Sequence, residues 1–215
     1  MEKKVLMTGF DAFEGERVNP ALETVKILNG YQEKGVHIVA VEIPTVFRAS
    51  IKKLEEAIKE ENPDVVICVG QGGGRTHITP ERVAINVDDA RIPDNEGNQP
   101  IDEAIVKNGP VAYWSTLPIK RIVKNLRESG IPAEVSNSAG TFVCNHLFYG
   151  LMHYLHDNAP DVRGGFIHIP YLPEQTVNKH APSMAIETIV EGLKIAAITA
   201  ALEPEDIKES GGAIH

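Results

Sequence analysis

Two kinds of apolar pattern alternate along this chain. Short apolar runs are separated by stretches in which apolar residues recur every three or four positions. The first suits strands buried in a sheet, and the second suits helices with one apolar face. Val5, Leu6 and Met7 open a predicted strand over residues 5–8. Asn19 and Pro20 then supply a helix cap and a first-turn proline ahead of Leu22, Val25 and Leu28, with Gly30 as the stop. A second strand is predicted over residues 36–43. Ser50 is expected to cap a helix whose apolar face is Ile51, Leu54, Ala57 and Ile58. The run DVVICVG, residues 64–70, is apolar throughout its middle and bounded by proline and glycine, as in a strand covered on both faces. A helix over residues 118–129, strands over 133–136 and 164–170, and a closing helix over 183–202 complete the pattern. The alternation predicts an α/β fold: an α/β/α sandwich around a twisted, mostly parallel mixed sheet.

Residues 71–118 break the alternation. They hold QGGGR, a predicted strand RVAINV over residues 82–87, and the polar loop ARIPDNEGNQP. Long irregular segments in compact domains are often functional, and sites in open α/β sheets lie beyond the carboxyl ends of the strands. Three loops fall at such ends: GFDAFEG, GQGGGR, and the SAGTF that precedes Cys144.

The 215 residues suit one domain spanning 1–215, with no repeat or linker to divide it. A net charge of −9 argues against general affinity for nucleic acid or an anionic membrane surface. No apolar run approaches the roughly 18 residues of a membrane span, and the N-terminal run is too short for a secretory signal. Two cysteines in such a chain do not make a disulfide framework. A cytoplasmic protein with reduced thiols is expected.

The two cysteines differ in setting. Cys68 sits in the middle of DVVICVG, where a thiol is a core hydrophobe. Cys144 falls at the start of a predicted helix over residues 145–156, on the side of Leu147, Phe148, Leu151, Met152 and Leu155. A helix N-terminus favours the thiolate, the reactive form, although a buried packing cysteine is the plain alternative. A cysteine nucleophile needs an imidazole to take its proton. The projection puts His146, His153 and His156 together on a solvated face, and His37, His77, His180 and His215 have no distinctive setting. His168, in GFIHIP, lies inside an apolar strand and needs partners for its ring nitrogens; it is either a base or a satisfied core histidine. Glu81, entering an apolar strand after Pro80, is either the acid that orients such an imidazole or a surface ion-pair residue.

Five blocks in order, MTGFDAFEG, VGQGGGR, ITPERVAINVDDARIPDNEGNQP, SNSAGTFVCNHLFYG and GFIHIPYLPEQ, resemble the pyroglutamyl peptidase I family of cysteine exopeptidases over essentially the whole chain. The resemblance implies removal of N-terminal pyroglutamyl (5-oxoprolyl) residues from peptides. It implies Cys144 as nucleophile, His168 as general base and acid, and Glu81 as the third catalytic residue. It also implies an α/β/α sandwich, no metal or organic cofactor, and often a cytoplasmic homotetramer. Pyroglutamate is a flat neutral lactam, which calls for apolar walls and a few amide hydrogen bonds. Phe10 and Phe13 are expected to supply aromatic faces, Ile92, Phe142 and Val143 to close the pocket, and Gln71 to meet the lactam. Arg91, with the backbone N–H of Cys144, is expected to face the developing oxyanion, a structural ion pair being the alternative. The family commonly has proline at Ala12 and glycine at Glu14, which bears on the loop carrying Phe13. Two other classes remain beside this one. A nucleoside phosphorylase-like enzyme would use GQGGGR as a phosphate cradle with Arg75 as counter-ion. A catalytically dead binding module on the same scaffold would show no thiol-dependent turnover.

Overall fold

The computed structural model describes residues 2–212; His215 lies outside them. In chain order the elements are β1 (Lys3–Phe10), α1 (Pro20–Leu28), β2 (Gln32–Glu33), β3 (Val36–Ile43), α2 (Ala49–Glu61), β4 (Val65–Gln71), β5 (Thr79–Pro80), β6 (Val83–Ile85), β7 (Ala112–Trp114), α3 (Ile119–Glu128), α4 (Val143–Asn158), β8 (Arg163–Ile169) and α5 (Ile186–Leu202). The main sheet runs β2–β3–β1–β4–β8–β5. Its centre, β3–β1–β4–β8, is parallel, and the two-residue strands β2 and β5 pair antiparallel at its ends. The expected mostly parallel mixed α/β sheet is therefore present. A separate antiparallel pair, β6–β7, is built from the irregular segment.

Side chains alternate across the central strands and build two cores. Val5 and Met7 of β1, Val65, Ile67 and Val69 of β4, and Ile167 and Ile169 of β8 pack against α1, α3 and α5. Leu6 and Phe10, Val66 and Cys68, and Phe166 face the other way and pack against α2 and α4. His168 follows Phe166 by two residues and shares this second face, on the side of α4.

Asn19 caps α1 as its sequence promises, its side-chain oxygen accepting the N–H of Ala21 at 3.0 Å. Ser50 does not cap α2. The helix starts one residue earlier, at Ala49, and Ser50 is buried within the first turn. Arg48 takes the cap position in a left-handed conformation (φ 63°), and its N–H donates to His146 Nε2 at 2.7 Å, which fixes the bend.

The segment 133–136 is only partly the strand expected. It runs parallel to residues 78–82 through four backbone bonds: Ile78 N–H to Pro132, Glu134 N–H to Ile78, Ser136 N–H to Pro80, and Arg82 N–H to Ser136. The rung missing from this register is the one residue 80 would donate. Pro80 has no N–H, so two isolated bridges replace a continuous strand.

Candidate active site

The turn before α4 is stitched in place from both sides. Ser138 Oγ accepts the N–H of Gly140 at 3.1 Å, while Thr141 exchanges bonds with Asp89: Asp89 N–H to Thr141 O at 2.9 Å, and Thr141 Oγ1 to Asp89 O at 2.8 Å. Phe142 occupies the cap position of α4, and no side chain caps it. The first-turn N–H groups, that of Cys144 among them, lack intrahelical acceptors and point out of the helix mouth. Cys144 is half-buried there.

Its sulfur lies 3.0 Å from where a Cβ on Gly70 would stand. Gly70 is paired with His168 across β4 and β8. The thiol thus sits over the carboxyl end of β4, beside the strand position that carries the imidazole. A side chain at residue 70 would strike the Phe166 ring as well as the thiol, so glycine is what leaves room for the sulfur.

His168 is buried, its ring 4.8 Å from that of Phe166 between centroids. Its Nδ1 is 2.7 Å from Glu81 Oε1. Glu81 is 0% exposed, and its own N–H donates to Phe166 O at 2.8 Å, which anchors the acid beside β8. Arg75 meets the same Oε1 at 2.8 Å. A carboxylate only accepts, so Nδ1 carries the proton of the shared bond and Nε2 is left as an acceptor. Among the described residues Nε2 makes no hydrogen bond.

Burial first, and the Glu81 charge second, push the Cys144 thiol up to about 12, against the opposing pull of Arg75. Burial also lowers His168 below its ordinary value, although Glu81 works in the other direction. At neutral pH the resting pair is therefore thiol and neutral imidazole. Burial thus opposes the thiolate that the helix mouth favours. Cys68 is likewise pushed to about 12 by burial. The two thiols differ in access and neighbours rather than in acidity, for Cys68 is fully buried inside β4.

The expected pocket residues fall into two groups. Phe13 and Phe142 stand 6.3 Å apart between ring centroids, both half-buried, with Phe142 two residues from Cys144. Half-buried Ile92 and exposed Arg91 belong to the loop that Asp89 ties to Thr141. Gln71 closes β4 with its Oε1 accepting from Gln175 at 2.8 Å, which leaves its own amide N–H groups to give. Phe10 and Val143, by contrast, are core residues. Phe10 packs on Phe166 at 6.3 Å, and Val143 is 1% exposed. They back the wall rather than face the solvent. Arg91 forms no ion pair among the described residues.

Sequence pattern missed three neighbours. Phe47 sits edge-on to Phe142 at 5.4 Å and edge-on to His146 at 5.2 Å. His146 is not on a solvated face. It is 2% exposed, with Nδ1 2.8 Å from Asp88 Oδ2. The projection failed because Phe47 and Arg48, from the turn before α2, and Asp88, from the loop after β6, cover His146, while Tyr113 of β7 covers His153. His153 is half-buried against Tyr113, and of the three only His156 is exposed. Arg75 is held by Glu81, Thr79 and Ser138, not turned outward as a phosphate counter-ion. The arginine directly after three glycines was the visible signal, but its partner Glu81 is close only in the fold.

Among the described residues no group of three or more His, Cys, Asp or Glu side chains is placed to hold a metal ion, and no helix is long and apolar enough to cross a membrane.

A family model described as pyroglutamyl peptidase matches residues 3–203. The chain is 65% identical to the pyrrolidone-carboxylate peptidase of Bacillus licheniformis and 59% identical to that of Bacillus subtilis, each covered over 100% of both chains. The crystal structure of pyroglutamyl peptidase I from Bacillus amyloliquefaciens superposes with a TM-score of 0.97 at 61% identity, covering 98% of this chain and 100% of that one. A variant of the pyrrolidone carboxyl peptidase of Pyrococcus furiosus gives 0.91 at 42% identity, covering 94% and 100%.

Proposed function

Because the chain belongs to the pyroglutamyl peptidase family, a family of cysteine peptidases, we propose that it releases N-terminal pyroglutamate from peptides by acyl transfer through Cys144, His168 and Glu81. The observation that carries this reading is the convergence at the end of β4: the Cys144 sulfur beside Gly70, and His168 paired with Gly70 while bonded to Glu81.

The chemistry follows from the protonation states. With substrate bound, the Cys144 proton passes to Nε2 of His168 as Sγ bonds to the pyroglutamyl carbonyl carbon. Glu81 holds Nδ1–H throughout and stabilises the imidazolium that forms. The carbonyl oxygen becomes an oxyanion near the uncapped N–H groups of α4, with Arg91 as a candidate cation from the loop that Asp89 ties to Thr141. Collapse of this intermediate breaks the C–N bond. His168 returns its proton to the departing amine, leaving a thioester on Cys144. His168 then takes a proton from water, hydroxide adds to the thioester carbon, and the sulfur leaves with that proton. The products are free pyroglutamate and a peptide shorter by one residue.

Phe13 and Phe142 supply a wall for the lactam, with Ile92 beside them, Phe10 and Val143 behind, and the Gln71 amide for its carbonyl. A prolyl or glutaminyl N-terminus brings a protonated amine to this apolar wall, where desolvation costs several kcal/mol. The lactam nitrogen is uncharged and avoids that cost. The test compares pyroglutamyl, prolyl and glutaminyl reporter amides at one pH, with and without iodoacetamide. The expected result is a preference for the pyroglutamyl amide of about 100-fold or more in kcat/KM, abolished by alkylation of Cys144. Comparable turnover of the prolyl amide, or turnover that requires phosphate, would sink the reading.

A further inference from the structure

Glu81 poses an electrostatic problem that the three catalytic residues do not solve. It is 0% exposed, and one of its oxygens, Oε2, has no hydrogen-bond partner. A carboxylate in such a place stays ionised only beside a compensating charge. His168 is neutral at rest and cannot provide one. The permanent cation at ion-pair distance from Glu81, among the described residues, is Arg75.

Arg75 is itself held in a fixed pose. It donates to Thr79 Oγ1 and, at 3.1 Å, to the carbonyl of Ser138 in the turn before Cys144. Thr79 is the residue paired with His168 across β5 and β8. The loop glycines make room for this arrangement. A Cβ on Gly72 would come within 2.6 Å of Arg75 Cδ, and one on Gly73 would strike the Tyr171 hydroxyl. The QGGGR loop is thus shaped around its own arginine, which folds back under the site with 25% of its side chain exposed. One guanidinium connects the acid, the strand opposite the imidazole, and the turn that carries the nucleophile.

We propose that Arg75 is a positioning residue of the catalytic apparatus: it pairs with the buried Glu81 carboxylate and fixes Oε1 as the oxygen that holds His168. Its action is indirect, through Glu81. The charged or titratable groups packed around Glu81 are Arg75 from the β4–β5 loop, His168 from β8 and Cys144 from α4. This inference rests on the proposed Cys144–His168–Glu81 mechanism.

The test is a kinetic double-mutant cycle on the pyroglutamyl reporter amide, with Arg75→Met, Arg75→Lys, Glu81→Gln and their combinations, each checked for folding by thermal melting. Arg75→Met is expected to lower kcat about tenfold or more, with KM within about threefold. Its acid limb should move to higher pH, because the Arg75 charge is one of the groups that lower His168, and without it the imidazole keeps its proton to higher pH. Arg75→Lys keeps the charge and should restore the limb. In the Glu81→Gln background, where no buried charge remains, either Arg75 substitution should cost less than about twofold. Additive losses in the cycle, or an Arg75→Met limb that does not move, would overturn the proposal. If Arg75→Met does not fold, Arg75→Gln, which also removes the charge, takes its place in the cycle with Glu81→Gln and decides by the same criterion. An inactive wild type would instead refute the proposed function. An active wild type with an impaired Glu81→Gln and an unaffected Arg75→Met would leave the function standing and remove Arg75 from it.

Discussion

One buried histidine–carboxylate pair is built on α4 and the other on β8, and only the second has the form of a reaction centre. His168 Nδ1 meets Glu81 at 2.7 Å, and His146 Nδ1 meets Asp88 at 2.8 Å. In each pair the second carboxylate oxygen, Glu81 Oε2 or Asp88 Oδ1, is buried without a partner. Each ring carries its proton on Nδ1. The difference is at the far nitrogen. Nε2 of His146 accepts the N–H of Arg48 at 2.7 Å, which holds the left-handed bend at the start of α2. Nε2 of His168 makes no such bond and shares its strand end with the Cys144 thiol. An imidazole with both nitrogens occupied is a brace; one with a nitrogen in reserve can move a proton. Distance to a carboxylate does not separate the two cases, but the accounting of all four ring nitrogens does.

Exchanging the two roles by mutation tests this contrast most directly. His168→Ala should lower kcat/KM by about 10²- to 10⁴-fold, the range for loss of general acid–base catalysis, with a smaller fall in thermal midpoint than His146→Ala, because Glu81 keeps Arg75 as a partner. His146→Ala should do the reverse. It leaves Asp88 and the Arg48 N–H without their partner, a cost of about 1.5–3 kcal/mol for a hydrogen bond to a charged group. At about 2–4 °C per kcal/mol for a chain of this size, that is a readily measured fall in Tm. Turnover of the folded His146→Ala protein should stay within a few-fold. Loss of turnover without melting in His146→Ala would break the comparison. A smaller effect is expected from pH. His168 is lowered below its ordinary value of about 6.5 and must be neutral to accept the thiol proton. Activity should therefore persist below pH 6.5 and fall only as the pH drops through that depressed value. A kcat/KM profile whose acid limb sits above 6.5 would contradict the protonation states used here. The smallest effect belongs to Cys68→Ala, which should leave kcat/KM within about twofold and cost on the order of 1 kcal/mol of stability. Cys144→Ala should be inactive.

The reasons the sequence revealed some of this and not the rest are physical. DVVICVG and GFIHIP read as buried strands because parallel strands covered on both faces are apolar throughout, and β4 and β8 occupy those positions. Cys144 and His168 were legible because each sits at an element end or in an apolar run that does not otherwise need it. His146 was misplaced because a helical projection knows one helix and nothing of what covers it. The covering here comes from the turn before α2, Phe47 and Arg48, and from Asp88 in the segment with the weakest periodicity. Ser50 was a plausible cap by type, but the cap position was decided by a hydrogen bond from residue 48 to residue 146. Arg75 and Glu81 are six residues apart in the sequence, yet nothing in a linear pattern says that the loop between them turns back to join their side chains.

Pro80 brings the unfolded chain into the account. Its missing N–H removes one rung from the ladder between residues 78–82 and 133–136, worth about 0.5–1.5 kcal/mol had the bond formed. Its ring also restricts the backbone before folding, and a proline that fits its native site recovers about 0.4–1 kcal/mol by leaving the denatured ensemble fewer conformations to lose. The two quantities nearly cancel, so the proline is close to neutral for overall stability. What it changes is where freedom has been removed. The residue immediately after it is Glu81, and the backbone leading to that acid is stiff in the unfolded chain as well as in the folded one.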